Sequence, residues 1–360
     1  MKFKAALLGF VLLTSGCIPA VKLNEELNKR ITDSFDETKV LSVNFVTTRR
    51  SNPVTAPNCD SATYGFLTDI GVHYGECALN IPAKHSIGDV TWDNSQDRNS
   101  FFQLLGKRDN SEEEFFAKIK ANPFEEILIF VHGFNVNFDE AVVRAGQIRY
   151  DLKFPGEVIL YSWPAGSEAG VLNQLMVRSV YDSNFNEARL NRVPFGNFLG
   201  KVEKLGKKIH LVVHSMGHQV VLPAIASEVR NGRKKFLDQL ILNAPDFDKA
   251  EFGLITKQLL DSSNRITLYC SPGDNALVAS QKVNGGNRAG MCYKFEGIDV
   301  INVNEVDSPV LGIGGLGHGY YSSRPILTDI YQVLLGISVE KRLFIRKSGA
   351  NNGENWVLRK

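Results

Sequence analysis

The pattern of hydrophobic and polar positions divides the chain into four stretches. Residues 1–16 hold a short apolar run, Ala5 to Leu13, behind Lys2 and Lys4. Residues 17–38 are polar, rich in Lys, Glu, Asn and Asp, with one amphipathic hint at Leu23, Leu27 and Ile31. From residue 39 to residue 340, apolar runs of strand length alternate with stretches of helical period, and residues 341–360 return to a polar, glycine-containing tail expected to be loosely ordered.

Within the long stretch the pattern predicts particular elements. Lys39 to Arg49 and Val72 to Ile81 read as strands, with a Ser/Asn/Pro/Ala loop between them. Ser100 to Lys120 predicts two helices, the first carrying Phe101, Phe102, Leu104 and Leu105, the second Phe115, Phe116 and Ile119. The second opens on Asn110-Ser111-Glu112-Glu113-Glu114, where negative charge suits the positive end of a helix. Ile127 to Val131 is an unbroken apolar run, the form of a strand buried on both faces. A helix over Phe138 to Leu152 and a strand over Val158 to Trp163 follow. Then come a helix over Pro194 to Leu205, a strand over Ile209 to His214 and a helix over Gln219 to Arg230. A strand Leu237 to Asn243, a helix about Phe252 to Leu260, strands Ile266 to Cys270 and Val300 to Val303, and a helix Pro325 to Leu335 complete the series. Strands alternating with helices predict a mostly parallel sheet with helices on both faces. The division expected is 39–122 for the N-terminal strands and helices and 123–340 for the core.

Composition adds little to this picture and excludes some functions. The chain has 360 residues, 43% hydrophobic and 22% charged, which supplies a large core. A net charge of +2, without a long Lys/Arg run, does not suit nucleic-acid binding. The cysteines and the first segment change the picture more. Basic residues, a short apolar run and then Thr14-Ser15-Gly16-Cys17 describe an export signal too short to span a bilayer. A cysteine after Ser-Gly resembles a lipobox, so Cys17 is expected to become the acylated N-terminus, tethered through residues 17–38. Ile18 after that cysteine resembles outer-membrane sorting, which gives a lipid-anchored domain expected to face the periplasm. In an oxidising compartment the other four cysteines can pair; proximity favours Cys59–Cys77 and Cys270–Cys292, and a reduced, buried Cys270 is the alternative.

The chemistry centres on Ile209-His210-Leu211-Val212-Val213-His214-Ser215-Met216-Gly217-His218. A strand ends abruptly in Ser215, Gly217 follows, and a helical pattern begins at once, which is the form of a nucleophile elbow. Val213 stands where the usual motif has its leading glycine. A serine hydroxyl needs a base, and His318 in Leu316-Gly317-His318-Gly319-Tyr320 is the one histidine after His218. Glycines at 312, 314, 315, 317 and 319 give that loop backbone freedom to place an imidazole over the sheet edge. The acid should follow a later strand, and both Asp246 and Asp274 qualify. Capping of the helix near Phe252 accounts for Asp246, so Asp274, in its Pro-Gly-Asp-Asn turn, is the choice. Oxyanion donors are expected from the backbone N–H of Met216, after the nucleophile, and of Phe134, in the His132-Gly133-Phe134-Asn135 turn after the Ile127 to Val131 strand. His132, His214 and His218 invite a metal, yet they lack neighbours at ligand spacing, so neither metal nor cofactor is expected. Trp163 is expected either to wall the acyl pocket or to sit in the core.

Taken as an ordered set, Ile-Phe-Val-His-Gly-Phe-Asn-Val, Ser-Trp-Pro, His-Ser-Met-Gly, Ala-Pro-Asp, Leu-Tyr-Cys-Ser-Pro-Gly-Asp-Asn-Ala-Leu and Gly-His-Gly-Tyr-Tyr resemble a bacterial α/β-hydrolase family of unsettled function, grouped with esterase/lipase-superfamily proteins. The resemblance runs from about Leu41 to Leu335 and implies an α/β-hydrolase fold with Ser215, Asp274 and His318 as a triad. The expected activity is hydrolysis of a small-molecule or lipid carboxylic ester. The alternatives are a lipid-anchored envelope binding or scaffold protein with little turnover, and an acyltransferase or peptidase using the same triad.

Overall fold

The computed structural model describes residues 39–168, 174–306, 318–349 and 356–359. Its frame is set by the apolar runs. Strand β4 (Glu126–Val131) is buried at every position, with Ile127, Ile129 and Val131 in the core on one side and Leu128 and Phe130 in the core on the other. A strand with both faces covered cannot alternate polar and apolar residues, which is why this one reads as an unbroken run. Its neighbours are β5 (Glu157–Ser162) and β6 (Lys208–His214), both parallel to it. Outward from β6 lie β7 (Leu237–Asn243), β8 (Ser263–Cys270) and β9 (Asp299–Asn302), also parallel. On the other side β1 (Lys39–Ser51) pairs parallel with β5, and β2 (Tyr64–Ile81) and β3 (Gln103–Asn110) continue the sheet antiparallel. Two short strands, β10 (Ile345–Lys347) and β11 (Trp356–Leu358), close the far edge, giving eleven among the described residues in the order β10-β11-β9-β8-β7-β6-β4-β5-β1-β2-β3.

The helices cover both faces. α1 (Glu112–Ala121), α4 (Arg192–Glu203), α5 (His218–Arg230) and α6 (Lys249–Ser262) bring Phe115, Phe198, Val221 and Phe252 into the first core. α2 (Phe138–Asp151) and α8 (Arg324–Leu334) bring Phe138, Val142, Ile326 and Ile330 into the second. Each such side chain contributes about 1.5–3 kcal/mol by leaving water, before the entropy of ordering it is counted. α3 (Gln174–Leu190) and α7 (Asn275–Asn284) stand nearer the strand ends, where they help to form the site. The α1 start is as its acidic residues predict: Ser111 caps it, accepting from the Glu114 N–H at 3.2 Å, while Glu114 accepts from the Ser111 N–H at 2.8 Å.

Two expectations are corrected, and one helix was not foreseen. Residues 103–110 form β3 and not a helix, because Phe102 and Leu104, two apart, turn inward together and the segment pairs with β2 from Tyr74↔Asn110 to Asn80↔Gln103. The polar tail is also part of the fold. Ile345 and Leu358 are buried, β11 pairs with β9, and buried Arg342 reaches Asp329 at 3.0 Å, whose carboxylate also accepts from Tyr269 at 2.6 Å. Finally, α3 is a helix that its sequence, rich in Asn, Ser and Asp, did not announce. Cys59–Cys77 and Cys270–Cys292 are disulfides. The first closes a loop of 18 residues beside β2 and, unstrained, would stabilise by roughly 3 kcal/mol in the chain-entropy account.

Candidate active site

The site lies over the C-terminal ends of the parallel strands, and its centre is the turn that ends β6. Ser215 adopts φ of 51°, a left-handed conformation that costs a non-glycine residue about 1–3 kcal/mol and persists only where the surroundings enforce it. Two glycines are the surroundings. A Cβ at Gly217 would stand 2.5 Å from the His132 carbonyl oxygen, and one at Gly133 would stand 2.8 Å from the Ser215 Cβ. The turn after β4 and the turn after β6 therefore press together at a distance that only glycine allows. Val213, in the place of a leading glycine, points into the first core and leaves the turn alone.

Ser215, His318 and Asp274 form one hydrogen-bonded chain. His318 Nε2 lies 2.6 Å from Ser215 Oγ, and His318 Nδ1 lies 2.7 Å from Asp274 Oδ2. An ionised carboxylate only accepts, so Nδ1–H donates to Asp274 and Nε2 is left to accept from the serine hydroxyl. The other Asp274 oxygen accepts the Leu277 N–H at 3.0 Å, which makes Asp274 the cap of α7 as well. Capping and orienting an imidazole are not alternatives here, since each uses one oxygen. Gly319 follows His318 among the described residues, whereas Gly312, Gly314, Gly315 and Gly317 lie outside them, as does Cys17.

The neighbouring histidines do mechanical work. His214 donates Nε2–H to the His318 carbonyl at 3.2 Å and stacks on Tyr321 with ring centroids 3.7 Å apart. Burial pushes its imidazole well below the ordinary histidine range, with the neighbouring His318 adding to this. His218 Nδ1 donates to the Ser215 carbonyl at 2.6 Å, and burial holds its pKa down to about 3. His132 is likewise neutral, held to about 3 by burial first and by the Arg49 charge second. Among the described residues no group of three or more His, Cys, Asp or Glu is arranged to hold a metal ion. Trp163 stands fully buried behind His132, donating to its carbonyl at 2.8 Å, and does not wall the cavity.

Asp246 corrects the reading of the second aspartate. The cap of α6 is Asp248, which accepts from the Ala250 N–H at 2.8 Å and the Glu251 N–H at 3.1 Å. Asp246 instead accepts from Tyr181 at 2.8 Å and Ser280 at 2.5 Å, with Arg288 Nε 3.8 Å away. Each of its two oxygens thus accepts from a hydroxyl. Its backbone N–H reaches the Ser215 carbonyl at 3.3 Å.

A cavity of about 950 Å³ opens over Ser215 and His318, walled by Trp92, Phe134, Tyr181, Leu277, Val283 and Tyr321 among others. Phe134 is thus at the site, and Met216 occupies the first turn after Ser215, at the positive end of α5. Tyr181 and Asn184, both on the helix missed in sequence, are further site residues. Asn184 Oδ1 accepts from the Asn135 N–H at 3.1 Å and the Gly166 N–H at 3.0 Å, tying the turn after β4 to the loop after β5. No periodicity signal marks either residue.

A parallel sheet with helices on both faces and a strained serine turn at a central strand define an α/β-hydrolase fold. Residues 107–337 match the family of alpha/beta hydrolases of unknown function (DUF900), and the chain belongs to that family. No curated protein matches the chain.

Proposed function

We propose that the protein is a serine hydrolase that cleaves carboxylic esters through an acyl-enzyme. The observation that carries this reading is the Ser215–His318–Asp274 chain, with contacts of 2.6 and 2.7 Å and with Ser215 and His318 lining the cavity. Ser215 Oγ bonds to the ester carbonyl carbon while His318 Nε2 takes its proton. The carbonyl oxygen becomes an oxyanion, facing the N–H groups of Phe134 and Met216. Collapse of this intermediate breaks the bond to the alcohol, which leaves with the proton from His318. Water then attacks the acyl carbon with His318 as base, releasing the acid and restoring Ser215. Asp274 holds the tautomer and stabilises the imidazolium that forms twice in the cycle. The aromatic and aliphatic walls favour an ester that is bulky and mostly apolar.

The test is hydrolysis of p-nitrophenyl esters of graded acyl length. Saturable turnover is expected, with kcat lower by on the order of 10⁴ to 10⁶ in Ser215→Ala. Equal rates in the two proteins would overturn the reading.

A further inference from the structure

One buried charged side chain behind the site, in contact with His132, has no part in the chemistry above. Arg49, at the end of β1, is fully buried, and burial pulls its guanidinium pKa down to about 9 against the opposing pull of the Asp139 and Glu140 charges. Its hydrogen-bond partners among the described residues are carbonyls, a hydroxyl and an imidazole, with no carboxylate among them. Nε donates to Ser162 Oγ at 2.9 Å, and Nη1 donates to the carbonyls of Gly65 at 3.1 Å and Ala165 at 2.8 Å. Nη2 donates to the Val136 carbonyl at 2.8 Å and faces His132 Nε2 at 3.5 Å. Burying a cation in this way costs more than filling the space with an apolar side chain. The fork is therefore placed for what it holds.

What it holds is the turn that carries Phe134. A guanidinium only donates, so an Arg49 N–H facing His132 Nε2 at 3.5 Å favours the tautomer with the ring hydrogen on Nδ1. That hydrogen is donated to the Gly133 carbonyl at 3.1 Å. Ser162 Oγ, which accepts from Arg49, passes its own hydrogen to His132 Nε2 at 3.2 Å and selects the same tautomer. The Trp163 ring stacks on His132 at 5.4 Å and 10°, which keeps the imidazole from rotating. The Gly133 carbonyl and the Phe134 N–H belong to one planar peptide and point in opposite directions. Fixing the first aims the second. A peptide that follows glycine turns over easily, and glycine is required at 133 by the close approach of Ser215, so an external hold is needed.

We propose that Arg49, acting through Ser162 and His132, is a positioning residue that aims the Phe134 N–H at the oxyanion. This rests on the ester-hydrolase reading above. The clamp acts on the oxyanion and not on the ground-state ester, so its loss lowers kcat and leaves KM nearly unchanged.

The experiment compares wild type, Arg49→Lys, His132→Phe and His132→Asn with a p-nitrophenyl ester and a trifluoromethyl ketone, whose adduct with serine carries an oxyanion. Circular dichroism fixes a temperature at which all four are folded. Arg49→Lys and His132→Phe are expected to lower kcat by roughly 10²-fold, near the cost of losing one oxyanion donor, with KM changed less than about threefold. Ketone affinity should weaken by the same factor as kcat/KM. His132→Asn keeps a donor near the Nδ1 position and should hold kcat within about tenfold of wild type. A folded Arg49→Lys with unchanged kcat and ketone affinity overturns the proposal and leaves Arg49 a structural residue. A wild type inert to both ester and ketone overturns the ester reading, and the clamp with it.

Discussion

Two aspartates stand beyond neighbouring parallel strands, Asp246 after β7 and Asp274 after β8, and both are buried. Asp274 gives one oxygen to the Leu277 N–H of its own helix and the other to an imidazole arriving from a distant loop. Asp246 gives both oxygens to hydroxyls, Tyr181 on α3 and Ser280 on α7, and faces Arg288. The strand end sets how far a side chain reaches; the partner sets what it does. A carboxylate saturated by hydroxyls beside a buried cation braces two helices. One that keeps an oxygen for histidine fixes the tautomer and orientation of an imidazole.

The comparison breaks first at Asp274. Asp274→Asn should lower kcat by on the order of 10⁴, since an amide can donate to Nδ1 and select the wrong tautomer. Melting should move little, because asparagine still caps α7. Asp246→Asn should show the reverse: a loss of about 2–3 kcal/mol by chemical denaturation, because Arg288 keeps its charge in a buried place beside a neutral amide. Turnover of the folded fraction should change far less than in Asp274→Asn. The two variants exchanging these results would reverse the assignment.

A smaller effect sharpens the link between brace and elbow. The Ser215 carbonyl accepts from both His218 Nδ1 and the Asp246 N–H. Burial lowers the folded pKa of His218 to about 3, so the neutral form belongs to the folded state. Above the unfolded value near 6.5 both states are neutral and the stability is fully present. As pH falls through that value only the unfolded chain takes the proton, so stability is lost progressively down to the folded pKa. His218→Asn keeps a donor to the carbonyl but cannot titrate. Its stability loss between pH 6.5 and 5.5 should be smaller than that of wild type by about 1 kcal/mol. Equal losses would mean that His218 is protonated in the folded protein.

The parallel half of the sheet was legible because strands covered on both faces become apolar runs, as in Ile127 to Val131 and Val158 to Tyr161. The elbow was legible because it joins such a run to a helix through a glycine that contact requires. Phe102 and Leu104 misled because a pair of apolar residues two apart inside a longer apolar cluster fits a helix as well as an edge strand. β10 and β11 are three residues each, too short to show a period. Asp246 and Asp248 could not be told apart, since both precede α6 and only the backbone path decides which caps it. Arg49 was invisible for a related reason. In Thr47-Thr48-Arg49-Arg50 two arginines look alike, and the sheet buries one and exposes the other.

The central claim is that Ser215 is a nucleophile activated by His318. It is tested most directly by labelling the folded protein with a fluorophosphonate and locating the adduct by peptide mass mapping. The adduct is expected on Ser215 in wild type and in Asp246→Asn, to form much more slowly in Asp274→Asn, and to be absent in Ser215→Ala. An adduct on another residue, or undiminished labelling of Ser215→Ala, would contradict the claim.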